Sequence, residues 1–312
     1  MKNIQADIKS GNFKQVYLLY GEEAYLKQQY KQNLVKALNP DGDTMNFNHY
    51  EGKGIDVKQL IDLCETMPFF AERRVVLLED TGFFKNKCEE LADYMKELPD
   101  YLYLVFAETE VDKRNRMYKA VKACGSIAEF IRQDEKTLMR WAAGILGKAG
   151  KKITQRDMEL LLTKTGTDMG NLRMEMEKLI SYTEGRDVVT AEDIEEICTT
   201  QTTNRIFDMV RAVTEKNQKR ALELYYDLLT LKEPPMRILF LLAKQYRQLL
   251  LAKQFAAAGL AQTEIASKLG VPGFVVRNIT TCARAYTISE LEQAVKDFVD
   301  AEESVKTGRL ED

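Results

Sequence analysis

Pro68-Phe69-Phe70-Ala71-Glu72-Arg73-Arg74-Val75-Val76-Leu77-Leu78 couples an aromatic connection directly to an apolar run. In Val75–Leu78 odd and even positions are equally apolar, so both faces of the strand they form must be covered, as they are inside a parallel sheet. Leu102-Tyr103-Leu104-Val105-Phe106 has the same character. Outward from these two, Val16–Tyr20, Asn46–Tyr50, Arg74–Glu79 and Ile127–Phe130 read as strands. Helical stretches fall over 22–38, 56–66, 85–97 and 113–123, with punctuation at Gly21, Pro40, Gly42, Pro99 and Gly125. Strand–helix alternation with doubly covered strands predicts a doubly wound parallel sheet of five strands.

The connection itself is unusual. A loop between a helix and a buried strand is expected to be polar, yet Phe69 and Phe70 follow directly on the helix-stopping Pro68. Adjacent side chains on an extended or irregular backbone point to different sides, so at most one ring turns easily into the domain's own core. Two readings follow: an aromatic offered to a partner protein, or a hydrophobic plug at the edge of the sheet.

From about residue 134 the strand signal is absent and helices are expected to the end of the chain. Asp134 opens one helix, Thr154 caps another before Met158-Glu159-Leu160-Leu161-Leu162, Gly166 to Gly170 is a break before a helix over Asn171–Tyr182, and Thr190 caps a short fourth. The block from Asn204 onward is also helical, with Pro234-Pro235 opening a long apolar helix over Met236–Ala257 and Pro272-Gly273 separating later ones. Trp141 and the stripe Ile238, Leu241, Leu242, Tyr246, Leu249 and Leu250 read as packing residues.

At 312 residues the chain exceeds what a single core supports, roughly 250 to 300 residues, so two or three domains are expected. No apolar run approaches the roughly 18 residues of a membrane span and the N-terminus lacks the apolar core of a secretion signal, so a cytoplasmic location with no membrane contact is expected. The net charge of −3 gives no global affinity for a polyanion. The five cysteines are scattered without a Cys-x-x-Cys pair, which argues against a zinc site or a disulfide framework. The single histidine, His49, lies in a strand and has no nucleophile–base partner pattern.

A sheet domain followed by helices is the plan of nucleotide-switch ATPases, whose first loop needs glycines to turn amides inward, then Lys and Ser or Thr. Here the loop reads Tyr20-Gly21-Glu22-Glu23-Ala24, with carboxylates where phosphates would lie. Glu79-Asp80 reads as a solvated strand end rather than a magnesium site. The basic residues Lys113, Arg114, Arg116, Lys119 and Lys122 read as the solvated face of one helix. No cofactor, no metal and no small-molecule substrate are expected.

Taken in order, these segments resemble the delta subunit of the bacterial DNA polymerase III clamp loader, an AAA+-like family. The resemblance rests on Val16–Leu26; Pro68–Arg74; Gly170-Asn171-Leu172 with Glu175, Glu177, Lys178 and Leu179; Ile206-Phe207-Asp208 with Ala221-Leu222; Gln245-Tyr246-Arg247 with Leu249-Leu250; and Val305–Arg309. It implies an α/β plus all-α chain: an AAA+-like domain over 1–133, a helical lid over 134–202 and a helical collar over 203–312. The resemblance further implies a subunit of the polymerase holoenzyme, a nucleotidyltransferase, with no catalytic residue in this chain. Its implied partners are the beta sliding clamp, the gamma/tau and delta-prime subunits, and primed DNA within the assembled loader. Relatives insert a Leu-Phe pair from a Ser-Leu-Phe-Ala type motif into the clamp and open one of its interfaces. The matching positions here are Phe69 and Phe70, with Pro68 replacing Ser and a larger first wedge residue. Met67, Pro68, Phe69, Phe70 and Arg73 are the clamp-binding residues so implied. An active AAA+ ATPase and a helical adaptor that leaves the clamp closed are the alternatives.

Overall fold

The computed structural model describes residues 2–199 and 202–310. It divides into two units, Met1–Gln133 and Asp134–Asp312. The first runs α1 (Lys2–Ser10), β1 (Val16–Tyr20), α2 (Ala24–Leu38), β2 (Phe47–Glu51), α3 (Val57–Glu65), β3 (Arg74–Glu79), α4 (Glu89–Tyr94), β4 (Leu102–Glu108), α5 (Arg116–Cys124) and β5 (Ser126–Glu129). All five strands pair in parallel in the order β2-β3-β4-β1-β5, with Val16 opposite Leu104, Arg74 opposite Leu102, and Tyr17 opposite Ser126.

The two-sided apolar runs explain why the sheet carries two cores. Tyr17, Leu19, Val75, Leu77 and Val105 point to one face and meet Leu34 and Leu38 of α2 and Ile4 of α1. The alternate residues Val16, Leu18, Val76, Leu78 and Phe106 point to the other and meet Leu60 of α3, Leu91 of α4 and Met117 and Val121 of α5. Each buried aliphatic or aromatic side chain contributes roughly 1.5 to 3 kcal/mol, so these layers hold the sheet rigid beneath its loops.

Three features of this unit differ from the sequence reading. Helix α1 was not expected: its apolar signal is the pair Ile4 and Ile8, one turn apart, and Ile4 is buried against the sheet. The expected helix over 85–97 contracts to α4, because Phe83 and Phe84 are drawn into the core by a turn. The expected helix over 113–123 starts only at Arg116, where Asn115 caps α5 by accepting the Met117 N–H at 2.8 Å. Lys113 and Arg114 therefore precede the helix, paired with Glu129 and Asp112, and do not share a face with Lys119 and Lys122.

The second unit runs α6 (Glu135–Lys148), β6 (Lys152–Ile153), α7 (Gln155–Thr165), α8 (Met169–Tyr182), β7 (Val188–Val189) and α9 (Ala191–Ile197), followed by α10 (Thr202–Thr214), α11 (Gln218–Thr230), α12 (Pro235–Ala257), α13 (Gln262–Leu269), α14 (Gly273–Ala283) and α15 (Ile288–Lys306). It is not purely helical as expected: β6 and β7 form a two-residue parallel pair. Helix α8 begins at Met169 rather than Asn171, because Asp168 accepts the Asn171 N–H at 2.7 Å. Trp141 packs with the core of α6 to α9, and Tyr246 and Leu249 of α12 lie in the core shared with α14 and α15. Cys64, Cys198 and Cys282 are buried free thiols. Among the described residues no helix is long and apolar enough to cross a membrane.

Candidate functional site

The connection between α3 and β3 is built backbone first. Helix α3 ends where the Thr66 N–H reaches Leu63 O, and Pro68 prevents its continuation. Three successive carbonyls at the exit then find donors at the edge of the sheet: Tyr101 Oη, just before β4, donates to Glu65 O at 2.8 Å, Arg74 Nε to Thr66 O at 2.8 Å, and Arg74 Nη2 to Met67 O at 3.3 Å. Arg74 is buried, and its Nη1 also donates to Asn48 Oδ1 of β2 at 3.1 Å. On the far side of Pro68, Phe69 is held by Asn46, the residue just before β2. Asn46 Oδ1 accepts the Phe69 N–H at 2.6 Å and its Nδ2 donates to Phe69 O at 2.8 Å.

The side chains go the other way. Phe69 is 56% exposed, Phe70 95% and Met67 75%, with the two rings edge to face at 4.5 Å. Phe70 sits at φ +50°, a left-handed conformation that costs a bulky L-residue roughly 1 to 2 kcal/mol. Neither ring closes the sheet edge. A loop whose backbone is bonded to the scaffold and whose apolar side chains face water suits recognition of another protein.

The five expected site residues do not all share this surface. Met67, Phe69 and Phe70 project from the loop and Pro68 is half-buried beneath them. Arg73 turns toward the opposite sheet face, its guanidinium 5.2 Å from the centre of the Phe13 ring and 5.4 Å from that of Tyr103. Sequence reading missed Asn46 and Arg74, whose roles depend on partners brought together by strand pairing. It also missed Met45, which is 65% exposed and adjacent to Asn46.

At the carboxyl end of the sheet, the turn after β1 is tied to the residue after β5. Phe130 N–H donates to Tyr20 O at 2.7 Å and Glu23 N–H donates to Phe130 O at 3.0 Å. Gly21 lies at φ +121°, where a Cβ would stand 2.3 Å from Phe130 O. Glu22 is exposed beside Arg132, while Glu23 is buried at the start of α2. The strand end Glu79-Asp80 is not simply solvated, as expected, because Glu79 meets Lys31 Nζ at 2.6 Å and His49 Nε2 at 2.9 Å. Glu108, buried at the end of β4, accepts the Thr81 hydroxyl at 2.6 Å and the Thr81 N–H at 3.1 Å. Burial raises the Glu108 carboxyl above its ordinary range, against these bonds, and burial lowers the Lys27 ammonium. Lys27 Nζ donates to Glu108 O at 2.9 Å. Among the described residues no group of three or more His, Cys, Asp or Glu is arranged to hold a metal.

A five-stranded parallel sheet of this order, followed by a helical unit, is an AAA+-like fold, here with two exposed aromatics in the loop before its third strand. Comparison with known proteins narrows the class. The family described as DNA polymerase III, delta subunit, matches residues 17–130, and its C-terminal domain, DNA polymerase III delta subunit, C-terminal domain, matches residues 203–312. The chain is 26% identical to the DNA polymerase III subunit delta of Bacillus subtilis over 98% of its own length and 92% of that protein. It is 22% identical to the probable DNA polymerase III subunit delta of Aquifex aeolicus over 82% of its length and 75% of that protein. The solved structure of the Bacillus subtilis DNA clamp loader delta protein superposes with a TM-score of 0.66 at 24% identity, covering 99% of this chain and 95% of that one. The chain belongs to the delta-subunit family of DNA polymerase III, the family of clamp loader subunits.

Proposed function

We propose that this chain binds the beta sliding clamp through Phe69 and Phe70, with Met67 and Pro68 at their base, and favours the form of the ring with one interface open. The observation that carries this reading is the pair of water-exposed rings on a loop whose backbone is held by the scaffold at Glu65, Thr66, Met67 and Phe69. Arg73, its guanidinium over Phe13 and Tyr103, lies beside the contact rather than in it in this reading. The chain works beside the gamma/tau and delta-prime subunits, leaves ATP hydrolysis to other subunits of the loader, and meets primed DNA only within the assembled loader in the cytoplasm. Residues 1–133 carry the contact, 134–202 act as the lid and 203–312 as the collar that joins the other subunits.

A subunit without fuel opens a ring only by binding the open form more tightly than the closed one. Moving a ring from mostly closed to mostly open takes about 5.5 kcal/mol of such preference. Two aromatics buried on contact, with their surroundings, supply energy of that order. The test is calorimetric titration of the full chain with its clamp. Replacing Phe69 and Phe70 together with Ala is expected to weaken binding by at least about 3 kcal/mol with cooperative unfolding retained. A clamp made monomeric by interface substitutions, having no ring to open, is expected to bind the unsubstituted chain at least about tenfold more tightly than the intact ring. Binding of the double variant within about threefold of the parent places the contact elsewhere. Equal affinity for ring and monomer favours a tether that leaves the clamp closed.

A further inference from the structure

The loop that carries Phe69 and Phe70 depends on one buried amide. Asn46 is 4% exposed, and a buried side-chain amide is destabilising unless its donors and acceptor are met. Here they are met by two groups. Its Nδ2 donates to Asp43 Oδ2 at 2.5 Å and to Phe69 O at 2.8 Å, and its Oδ1 accepts the Phe69 N–H at 2.6 Å. One side chain thus engages both backbone polar groups of Phe69, copying the double exchange of a hydrogen-bonded strand pair. The amide is itself seated from both directions. Asn46 O accepts the Val75 N–H of β3 at 2.9 Å, and Asp43 is gripped by Asn39 at the end of α2, whose Oδ1 accepts the Asp43 N–H at 3.0 Å and whose Nδ2 donates to Asp43 O at 2.9 Å.

We propose that Asn46, seated by Asp43 and Asn39, is a positioning residue that holds the aromatic pair in its partner-ready conformation before the partner arrives. The inference rests on the reading of Phe69 and Phe70 as clamp anchors and extends it to a residue 23 positions away. Phe70, at φ +50°, occupies a conformation its own side chain disfavours, so the loop needs an external hold to stay there. Arg74 supplies that hold for Thr66 and Met67, and Asn46 supplies it next to Phe70. A loop that visits the competent conformation only part of the time binds with its affinity reduced by that fraction. Asn46 therefore acts on affinity without touching the clamp.

The experiment uses the full chain, its sliding clamp, and the variants Asn46→Ala, Asn46→Asp, Phe69→Ala/Phe70→Ala and the triple combination with Asn46→Ala. Asn46→Ala is expected to weaken clamp binding about tenfold, or about 1.4 kcal/mol, by calorimetry. Asn46→Asp keeps the size but turns the donor into a second acceptor facing Asp43 and Phe69 O, and is expected to lose at least as much. In the Phe69→Ala/Phe70→Ala background, Asn46→Ala is expected to add less than about a twofold loss, the coupling that a positioning role requires and a general loss of stability does not produce. Hydrogen exchange read by NMR is expected to find the Phe69 amide protected at least about tenfold in the parent chain and unprotected in Asn46→Ala.

Retention of affinity by Asn46→Ala, where Phe69→Ala/Phe70→Ala has lost it, overturns the positioning role and leaves the anchors standing. Full affinity in Phe69→Ala/Phe70→Ala instead removes the anchors and this role with them. An undiminished Asn46→Ala effect in the background lacking both rings assigns its action to the fold and also overturns the role. If Asn46→Ala does not fold, the parent chain decides: a Phe69 amide exchanging as fast as an unstructured peptide rules the hold out.

Discussion

Replacing Phe70 with glycine separates the strain in the loop between α3 and β3 from its proposed use. At φ +50° an L-residue is disfavoured by roughly 1 to 2 kcal/mol, which glycine does not incur. Glycine in turn gives the unfolded chain more freedom, at roughly 0.5 to 1 kcal/mol. Since the Phe70 ring is 95% exposed, its removal gives up almost no burial in the free chain. Phe70→Gly is therefore expected to be between about zero and 1.5 kcal/mol more stable than the parent, and about 1 kcal/mol more stable than Phe70→Ala, which keeps the strain. Binding moves the other way. A phenylalanine fully buried on contact contributes roughly 1.5 to 3 kcal/mol, so both variants should bind the clamp about ten- to hundredfold more weakly. Urea unfolding and calorimetric titration of the same preparations measure the two effects. A Phe70→Gly chain that is less stable than its parent by more than about 1 kcal/mol, yet binds clamp normally, would make the ring a plug of the fold and refute the anchor reasoning.

Two further outcomes follow from the same unit. Gly21→Ala forces a Cβ to within 2.3 Å of Phe130 O at φ +121°, and should destabilise the chain by at least about 2 kcal/mol in urea; a neutral result would mean that the turn after β1 is not pinned to β5. The Asp43 carboxyl is held below its ordinary range first by the Asn46 amide and then by the Met45 N–H, with Arg74 adding to the effect. Because the folded value is depressed, the contribution of this carboxylate is fully present above the unfolded Asp value near about 4 and is lost as pH falls through the lower folded value. Protection of the Phe69 amide should accordingly stay level from about pH 8 to about pH 5 and fall only in stronger acid, whereas a fall between about pH 7 and about pH 5 would assign the hold to another group.

Much of the sheet was legible because its signal is local. Val75–Leu78 and Leu102–Phe106 are apolar on both faces whatever lies beside them, and the structure places each of them in an inner strand of the parallel sheet. The exposed aromatics were legible as an anomaly, since two rings after a helix-stopping proline stand out from any ordinary connection. Helix α1 carries only Ile4 and Ile8 as a signal, and β6 and β7 are too short to have a period, so their formation depends on what packs or pairs with them. The division of labour between neighbouring arginines was not legible either. Strand register turns Arg74 toward Thr66, Met67 and Asn48 and leaves Arg73 over Phe13 and Tyr103, although the two are chemically identical in the sequence. Asn46 reads as one polar residue at the start of a strand. Its grip on Phe69 exists only because β2 pairs with β3 and brings the start of β2 beside the loop that precedes β3. The sequence by itself determined which segments had to be buried and that at most one of Phe69 and Phe70 turned easily into the core, because burial follows from side-chain chemistry along the chain. Only the tertiary structure decided how the loop is held, because a hydrogen bond is directional and short, and its partners are chosen by strand register.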